Sequence, residues 1–276
     1  MERWATSSRN PRATSYRYAW ATSSESAVSD QRSAAIVRDG AQMIRVSAAS
    51  VAEASRVAAE NGWITVSDTS WPGYERIPGL VMQGYTALLT EALRQWPEPP
   101  THVFVQAGVG GLAAAVAGHF SVLLGYNRPF FTVVDPSRAA RLFESARTGH
   151  RVKVAHGQPT VMAMLECYEP SLVAWRILSR AADAFLMADD EDAVGVMNRL
   201  ANPRDGDPAV VAGESGGGGL AELLKVAADS TLRGLIGLEP DARVFLINTE
   251  GTTDPGVYEQ LVGQSLAQVV RRSLEA

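Results

Sequence analysis

The stretch that decides the fold is THVFVQAGVGGLAAA at residues 101–115, where an apolar strand runs into a glycine turn and an alanine-rich helix follows at once. Gly108, Gly110 and Gly111 have no Cβ, so backbone N–H groups of the turn can close on an anion at the positive end of the helix. The turn therefore favours a bound phosphate, although tight strand–helix joints also need glycine for packing alone.

Two further glycine-bearing segments strengthen this interpretation. They are GESGGGGL at residues 213–220 and NTEGTTDP at residues 248–255, the second directly after an apolar segment. Ligands of α/β proteins bind outside the carboxyl ends of parallel strands. Three polar, glycine-bearing strand ends in one chain predict one shared ligand crevice.

The rest of the chain alternates between strand and helix patterns. Strands are predicted at residues 42–47, 63–66, 102–106, 130–134, 184–187 and 243–248, and helices at residues 33–40, 52–61, 77–95, 112–124, 137–148, 171–181 and 220–228. A further helix is predicted to begin at the acidic residues 189–192. This order predicts an α/β fold with a parallel twisted sheet and helices on both faces. The predicted division is an irregular or non-homologous segment (1–29), a remnant of a small N-terminal domain with a linker helix (30–97) and a large α/β domain (98–276).

Composition excludes several classes of protein. The formal net charge of −5 argues against nucleic-acid binding, and 46% apolar with 20% charged residues is typical of a soluble globular protein. No apolar run approaches the roughly 20 residues of a membrane helix, so neither membrane nor nucleic acid is an expected partner and the expected location is cytoplasmic. Cys167, the single cysteine, is expected to be a packing residue.

The sequence also allows tests of other kinds of site: a nicotinamide site, a serine hydrolase site and a zinc site. A nicotinamide cofactor would use the glycine turn with Asp135 as the acid that holds a ribose hydroxyl. Ser215 in GESGG fits G-x-S-x-G, but no histidine follows His156, which rules out the order of an α/β-hydrolase. The four histidines lack zinc-ligand spacing, so no metal is expected. Four arginines are expected to be helix-surface charges: Arg94, Arg138, Arg141 and Arg147.

In combination, five segments resemble the diaminopropionate ammonia-lyases, in family order over residues 29–276. They are WITVSDTSWPGY (63–74), VQAGVGGLA (105–113), TVMA (160–163), GESG (213–216) and NTEG (248–251). The resemblance implies a fold-type-II, tryptophan-synthase-β-like enzyme that uses pyridoxal 5′-phosphate to convert 2,3-diaminopropionate, a small amino-acid substrate, to pyruvate and ammonia by α,β-elimination. It also implies a homodimer.

The resemblance further implies roles for individual residues. The cofactor phosphate would be bound by the backbone of Gly108, Val109, Gly110 and Gly111. Glu214 would lie beside the pyridine ring, and Asn248 or Thr249 would stand near the ring nitrogen, leaving it unprotonated. Asp68 would handle the substrate amino groups or the Cα proton, whereas by its chemistry alone it would also cap a turn.

One feature of the family is missing from this sequence. The family holds its cofactor as a Schiff base on a lysine that precedes the segment matching residues 30–40, and the only lysines here are Lys153 and Lys225. We therefore expect an N-terminally truncated family member whose activity is largely lost. The alternative is a non-catalytic fragment or pseudoenzyme that binds a phosphate ligand or a homologue.

Overall fold

The structure is a computed structural model that describes residues 5–8, 19–22, 30–45, 51–204 and 206–275. Its strands are β1 (Ala5–Ser8), β2 (Ala19–Thr22), β3 (Gln42–Arg45), β4 (Trp63–Val66), β5 (His102–Gln106), β6 (Phe130–Pro136), β7 (Ala184–Ala188) and β8 (Val244–Leu246). Its helices are α1 (Asp30–Arg38), α2 (Val51–Glu60), α3 (Arg76–Gln95), α4 (Gly111–Leu124), α5 (Arg141–Thr148), α6 (Leu172–Ala181), α7 (Asp190–Ala201), α8 (Gly218–Ala228), α9 (Ser230–Ile236), α10 (Pro255–Val262) and α11 (Leu266–Glu275).

Four parallel strands form the main sheet, in the order β7-β6-β5-β8. Phe104 of β5 lies opposite Thr132 of β6 on one side and Leu246 of β8 on the other. Because all four strands run in the same direction, the segments that follow β5 and β8 emerge side by side at one edge.

Side chains of β5 alternate between two apolar cores because successive residues of a strand point to opposite faces. Val103 and Val105 pack with α3, α4 and α6 on one face, whereas Phe104 packs with α7 and α8 on the other. The predicted fold, a parallel sheet with helices on both faces, is confirmed.

The structure differs locally from the sequence prediction in three places. The helix predicted at residues 137–148 is interrupted, because Asp135 accepts the amide N–H groups of Leu142 and Phe143 and so starts α5 only at Arg141. Strand β6 continues to Pro136, and helices α9 to α11 follow where the sequence analysis predicted no helix.

The N-terminal residues that the structure describes add two small sheets. Strand β1 pairs antiparallel with β4, and β2 pairs parallel with β3. The division into segments 1–29, 30–97 and 98–276 stays a prediction. No helix in the described ranges is long and apolar enough to cross a membrane.

Candidate active site

The glycine turn joins the carboxyl end of β5 to the first residue of α4. Gly110 adopts a φ of 95°, and a Cβ added there would lie 3.2 Å from Leu178 and 3.3 Å from Ala174. Within the described part of the chain, the amide N–H groups of residues 108–111 donate to no oxygen. They stand at the N-terminus of a 14-residue helix, where the helix dipole favours an anion.

A loop at residues 160–167 lies against the glycine turn. A Cβ on Gly108 would lie 3.6 Å from the Met164 carbonyl oxygen and 3.8 Å from the sulfur of Cys167. The Met164 amide N–H donates to the Ser215 hydroxyl at 3.2 Å. This loop therefore links the first glycine segment to the second, and Cys167 packs there as expected.

The second glycine run is needed for packing. A Cβ on Gly213 would lie 2.5 Å from the carbonyl oxygen of Gly251, and one on Gly219 would lie 2.5 Å from that of Phe104. These glycines bring residues 213–219 against β5 and against the segment after β8. The run thus positions Glu214 and Ser215 without itself being an open anion site.

Glu214 lies in a buried cluster of charges that the sequence analysis did not find. The Arg32 guanidinium is 2.7 Å from the Glu214 carboxylate and 2.9 Å from that of Glu250. Burial, and then the charge of Glu250, raise the pKa of Glu214, while Arg32 lowers it. Arg32 and Glu214 are 182 positions apart, so no local pattern predicts the pair.

Thr249 and Asn248 follow β8 and differ in their partners. The Asn248 side-chain amide donates to the Val211 carbonyl at 2.9 Å. The Thr249 hydroxyl oxygen accepts a hydrogen bond of 2.8 Å from Gln106, which directly precedes the turn. The Glu250 carboxylate accepts the Ser215 amide N–H at 2.9 Å.

Asp68 lies next to the glycine turn in a segment that is fastened to it. The Asp68 carbonyl oxygen would be 3.8 Å from a Cβ on Gly111. The Ser70 and Ser171 hydroxyls are 2.6 Å apart, and the Ser171 amide N–H donates to the Val109 carbonyl at 2.9 Å. The Asp68 side chain is partly exposed and accepts a hydrogen bond of 3.3 Å from Thr69.

The site is thus a chain of direct contacts that joins all the segments chosen from the sequence. The pyridoxal-phosphate dependent enzyme family matches residues 21–250, which is most of the chain. The chain belongs to the pyridoxal-phosphate-dependent enzyme family.

Two curated relatives and one solved structure give the degree of similarity. Diaminopropionate ammonia-lyase of Salmonella typhimurium LT2 is 40% identical over 219 residues, or 76% of this chain and 54% of that protein. The enzyme of Escherichia coli K12 is 38% identical over 211 residues, or 74% and 53%. The chain spans about half the length of these curated relatives. The structure of diaminopropionate ammonia lyase from Escherichia coli with an aminoacrylate-PLP reaction intermediate has a TM-score of 0.80 and 34% identity, covering 88% of this chain and 63% of that one.

The described residues fit the phosphate and the ring of the family's cofactor. The backbone N–H groups of the glycine turn, which donate to no oxygen of the described chain, suit a phosphate dianion. Thr249 follows the neighbouring strand β8, whereas Glu214 lies in the second glycine run, which no strand of the described structure directly precedes. Lys225 is held elsewhere, by Asp192 and at 3.0 Å by Glu222, and Lys153 is exposed. Within the described contacts, no hydrogen bond or ion pair joins either lysine to the glycine turn or to Glu214.

Asp135, the acid of the nicotinamide alternative, is committed to structure. Its carboxylate is buried, accepts two backbone N–H groups of α5 and lies 3.2 Å from the Arg141 guanidinium. The expectation that Arg141 is a surface charge is wrong, since its side chain is fully buried and donates to the Ala107 carbonyl at 2.5 Å. Through the hydrogen bond to Ala107, the pair of Asp135 and Arg141 stabilises the residue that directly precedes the glycine turn.

A depression of about 630 Å³ lies at the opposite end of the sheet from these residues. Its lining includes Arg128, which pairs with Asp183 at the start of β7, and Phe130 at the start of β6. Ligands of open α/β sheets bind at the carboxyl ends of the strands, so this depression is not the candidate active site.

Proposed function

We propose that this chain is a pyridoxal-phosphate-dependent lyase of the diaminopropionate ammonia-lyase type, which forms pyruvate and ammonia from 2,3-diaminopropionate by α,β-elimination, with an activity largely lost because, in the described part of the chain, neither lysine contacts the glycine turn. The observation that carries the proposal is the set of backbone N–H groups at residues 108–111 that donate to no oxygen of the described chain. They are linked through Gln106 to Thr249, through Met164 to the Glu214 segment and through Ser171 to the Asp68 segment. Identities of 38% and 40% to two diaminopropionate ammonia-lyases support the choice of substrate.

Each residue has a defined task in this proposal. The amides of Gly108, Val109, Gly110 and Gly111 bind the cofactor phosphate. When bound, pyridoxal phosphate supplies an electron sink for the electron pair that remains at the substrate Cα after its proton is removed. The Asp68 carboxylate, at the partly exposed rim, orients the substrate amino groups or takes the Cα proton.

Glu214 and Thr249 complete the ring side of the proposed site. Glu214 faces the ring as a carboxylate whose charge Arg32 balances. Thr249 is preferred over Asn248 as the partner of the ring nitrogen, because the Thr249 hydroxyl contacts Gln106 at the end of β5, whereas the Asn248 side chain bonds to Val211. A neutral hydroxyl donates a hydrogen bond to a pyridine nitrogen without protonating it.

The second candidate function is non-catalytic binding of a phosphate ligand or of a homologue. The observation that favours it is that Lys225 is bound to two acidic side chains and Lys153 is exposed. Even without a lysine beside the glycine turn, the backbone N–H groups of residues 108–111 would bind the phosphate of a ligand.

A pair of measurements tests both candidates. Pyridoxine 5′-phosphate carries an alcohol in place of the aldehyde, so its binding requires no lysine. Calorimetry is expected to detect binding of pyridoxine 5′-phosphate and much weaker binding of pyridoxine, which lacks the phosphate. Pyruvate formed from 2,3-diaminopropionate faster than with free pyridoxal phosphate supports the lyase, and binding without pyruvate supports the alternative. Equal affinity for the two probes contradicts both.

The homodimer and the cytoplasmic location belong to the same proposal. Support for self-association comes from three exposed apolar side chains near the end of α4: Val122, Leu123 and Tyr126. Sedimentation velocity is expected to give twice the mass of one chain. A monomer at micromolar concentration would contradict the homodimer.

A further inference from the structure

Gln106 is the one polar residue at the carboxyl end of an otherwise apolar segment of β5, residues 103–106, and its side chain is 97% buried. Its side-chain nitrogen lies 2.8 Å from each of three acceptors, the Gly216 carbonyl, the Ile247 carbonyl and the Thr249 hydroxyl. Its side-chain oxygen accepts the Gly219 amide N–H at 3.1 Å. A single carboxamide thus joins β5 to both later segments of the site.

The orientation of this carboxamide is determined by its surroundings. Three oxygens surround the nitrogen, and the Gly219 N–H points at the oxygen, so rotation of the group by 180° would place its oxygen against acceptors and its NH2 against a donor. The NH2 group has two hydrogens for the three oxygens, and in this orientation it faces the Thr249 hydroxyl as a group that cannot accept a hydrogen bond.

This orientation has a consequence for the Thr249 hydroxyl. Because the Gln106 nitrogen at 2.8 Å cannot accept a hydrogen bond, the Thr249 proton must point elsewhere. The Thr249 hydroxyl donates to the Ser215 carbonyl at 3.4 Å, which is a long hydrogen bond. The hydroxyl of Thr249 is thereby left as a donor for an acceptor that arrives at this strand end.

We propose that Gln106 is a positioning residue that fixes the Thr249 hydroxyl as the hydrogen-bond donor to the pyridine nitrogen of the cofactor. The inference rests on the proposed function, because it takes the ring of pyridoxal phosphate as that acceptor. Gln106 does not touch the ring. It acts through Thr249, and it holds Gly216 and Gly219 so that the neighbouring Glu214 keeps its place.

The replacements that would disturb this arrangement follow from the geometry. Gln106→Met keeps the length of the side chain but removes the NH2 group, so the Thr249 hydroxyl loses the neighbour that fixes its orientation. Gln106→Glu replaces the donor by a carboxylate, which would draw the Thr249 proton toward itself. In both variants the ring nitrogen loses its donor.

The experiment uses pyridoxine 5′-phosphate with a nitrogen-15 label in the ring, bound to the full chain. The nitrogen-15 chemical shift reports whether the ring nitrogen accepts a hydrogen bond, and calorimetry gives the affinity. We expect Gln106→Met to weaken binding about fivefold, the value of one hydrogen bond. Its nitrogen-15 shift should move to that of Thr249→Val.

The double variant separates positioning from structural support. If Gln106 acts through Thr249, then Gln106→Met combined with Thr249→Val gives the same shift as Thr249→Val alone. Gln95→Met, on the exposed end of α3, is the matched control and should change neither shift nor affinity. A Gln106→Met variant that binds weakly with the wild-type shift overturns the proposal.

Two outcomes distinguish failure of this inference from failure of the proposed function. If the wild-type chain does not prefer pyridoxine 5′-phosphate over pyridoxine, the proposed function fails, and the inference with it. If it does, but Thr249→Val leaves the nitrogen-15 shift unchanged, only the inference fails. Thr249 is exposed, so this variant remains informative even where Gln106→Met does not fold.

Discussion

Two opposing effects of the surroundings determine the pKa of Asp135. Complete burial raises the pKa of its carboxyl from 3.8 to about 6, against the opposing effect of Arg141 and of two backbone N–H groups. The folded protein therefore holds this proton more tightly than the unfolded chain does. The resulting contribution to stability is fully present below pH 3.8 and is lost as the pH rises through about 6.

The pH dependence of Asp135→Asn tests this difference in pKa. Relative to this variant, the wild-type protein should lose about 2 kcal/mol of unfolding free energy as the pH rises from 3.8 to about 6. Urea unfolding of both proteins across that range measures the difference. A constant difference would mean that the Asp135 carboxyl titrates alike in the folded and unfolded states.

Arg32 provides a second prediction at the level of single residues. Arg32→Met leaves the carboxylates of Glu214 and Glu250 together without the cation between them, which should cost about 3 kcal/mol of unfolding free energy at neutral pH. Mild acid should reduce this loss, because protonation removes the unbalanced charge. Chemical denaturation at both pH values measures it.

The matched control is Arg38→Met, on the exposed end of the same helix, where the expected loss is below about 0.5 kcal/mol. Equal losses in the two variants, or a loss that grows in acid, would contradict the role given to Arg32.

How far single residues could be predicted depends on the sequence separation of their partners. Gly108, Gly110 and Gly111 were found because the strand, turn and helix are adjacent in the sequence. Arg32 was missed because its partners lie 182 and 218 positions away. Arg141 was misjudged because nothing in its helix indicates the buried carboxylate that it meets. The roles assigned to Asp68, Glu214, Asn248 and Thr249 stay predictions.

At the level of elements, α8 lies so close to β5 that a Cβ on Gly219 would be 2.5 Å from the Phe104 carbonyl oxygen. Gly219, in the first turn of α8, lies directly over the Phe104 carbonyl. The contact brings the α8 backbone down onto the strand that carries the glycine turn. The strand–helix pattern predicted both elements. The distance between them depends on the absence of a side chain at Gly219, which periodicity does not predict.

A pair of glycine variants tests this packing. In Gly219→Ala the new Cβ would lie 2.5 Å from a backbone oxygen, so α8 must move, with an expected loss of about 3 kcal/mol. Gly195→Ala, inside α7 with nothing within 4 Å, should instead stabilise by about 0.5–1 kcal/mol. Thermal unfolding of the two variants measures both. Similar effects of the two changes would contradict the close approach.

At the level of the whole molecule, the two lysines limit the covalent chemistry of this chain. Burial alone would lower the pKa of Lys225, but hydrogen bonds with Asp192 and Glu222 outweigh it and raise the pKa above its ordinary value. Imine formation requires a neutral amine, and the Lys225 amine is protonated and paired. Lys153 is exposed.

Reductive trapping tests this limit. After incubation with pyridoxal phosphate and borohydride, peptide mass spectrometry should find only partial labelling of Lys153 and Lys225. An excess of pyridoxine 5′-phosphate should leave that labelling unchanged, because neither lysine lies at the proposed phosphate site. Complete labelling of one lysine that pyridoxine 5′-phosphate prevents would contradict the prediction. Glu222→Gln is the control and should increase labelling of Lys225.

The pairing of β5 with β8 also affects how the chain is made. The Thr101 amide N–H donates to Arg243, 142 positions later, so one side of β5 has no neighbour until that segment leaves the ribosome. At ordinary rates of translation this takes on the order of ten seconds. During that time the nascent chain exposes an unpaired strand edge of the kind that promotes aggregation. Its yield in a cell should therefore depend on chaperones that bind during synthesis.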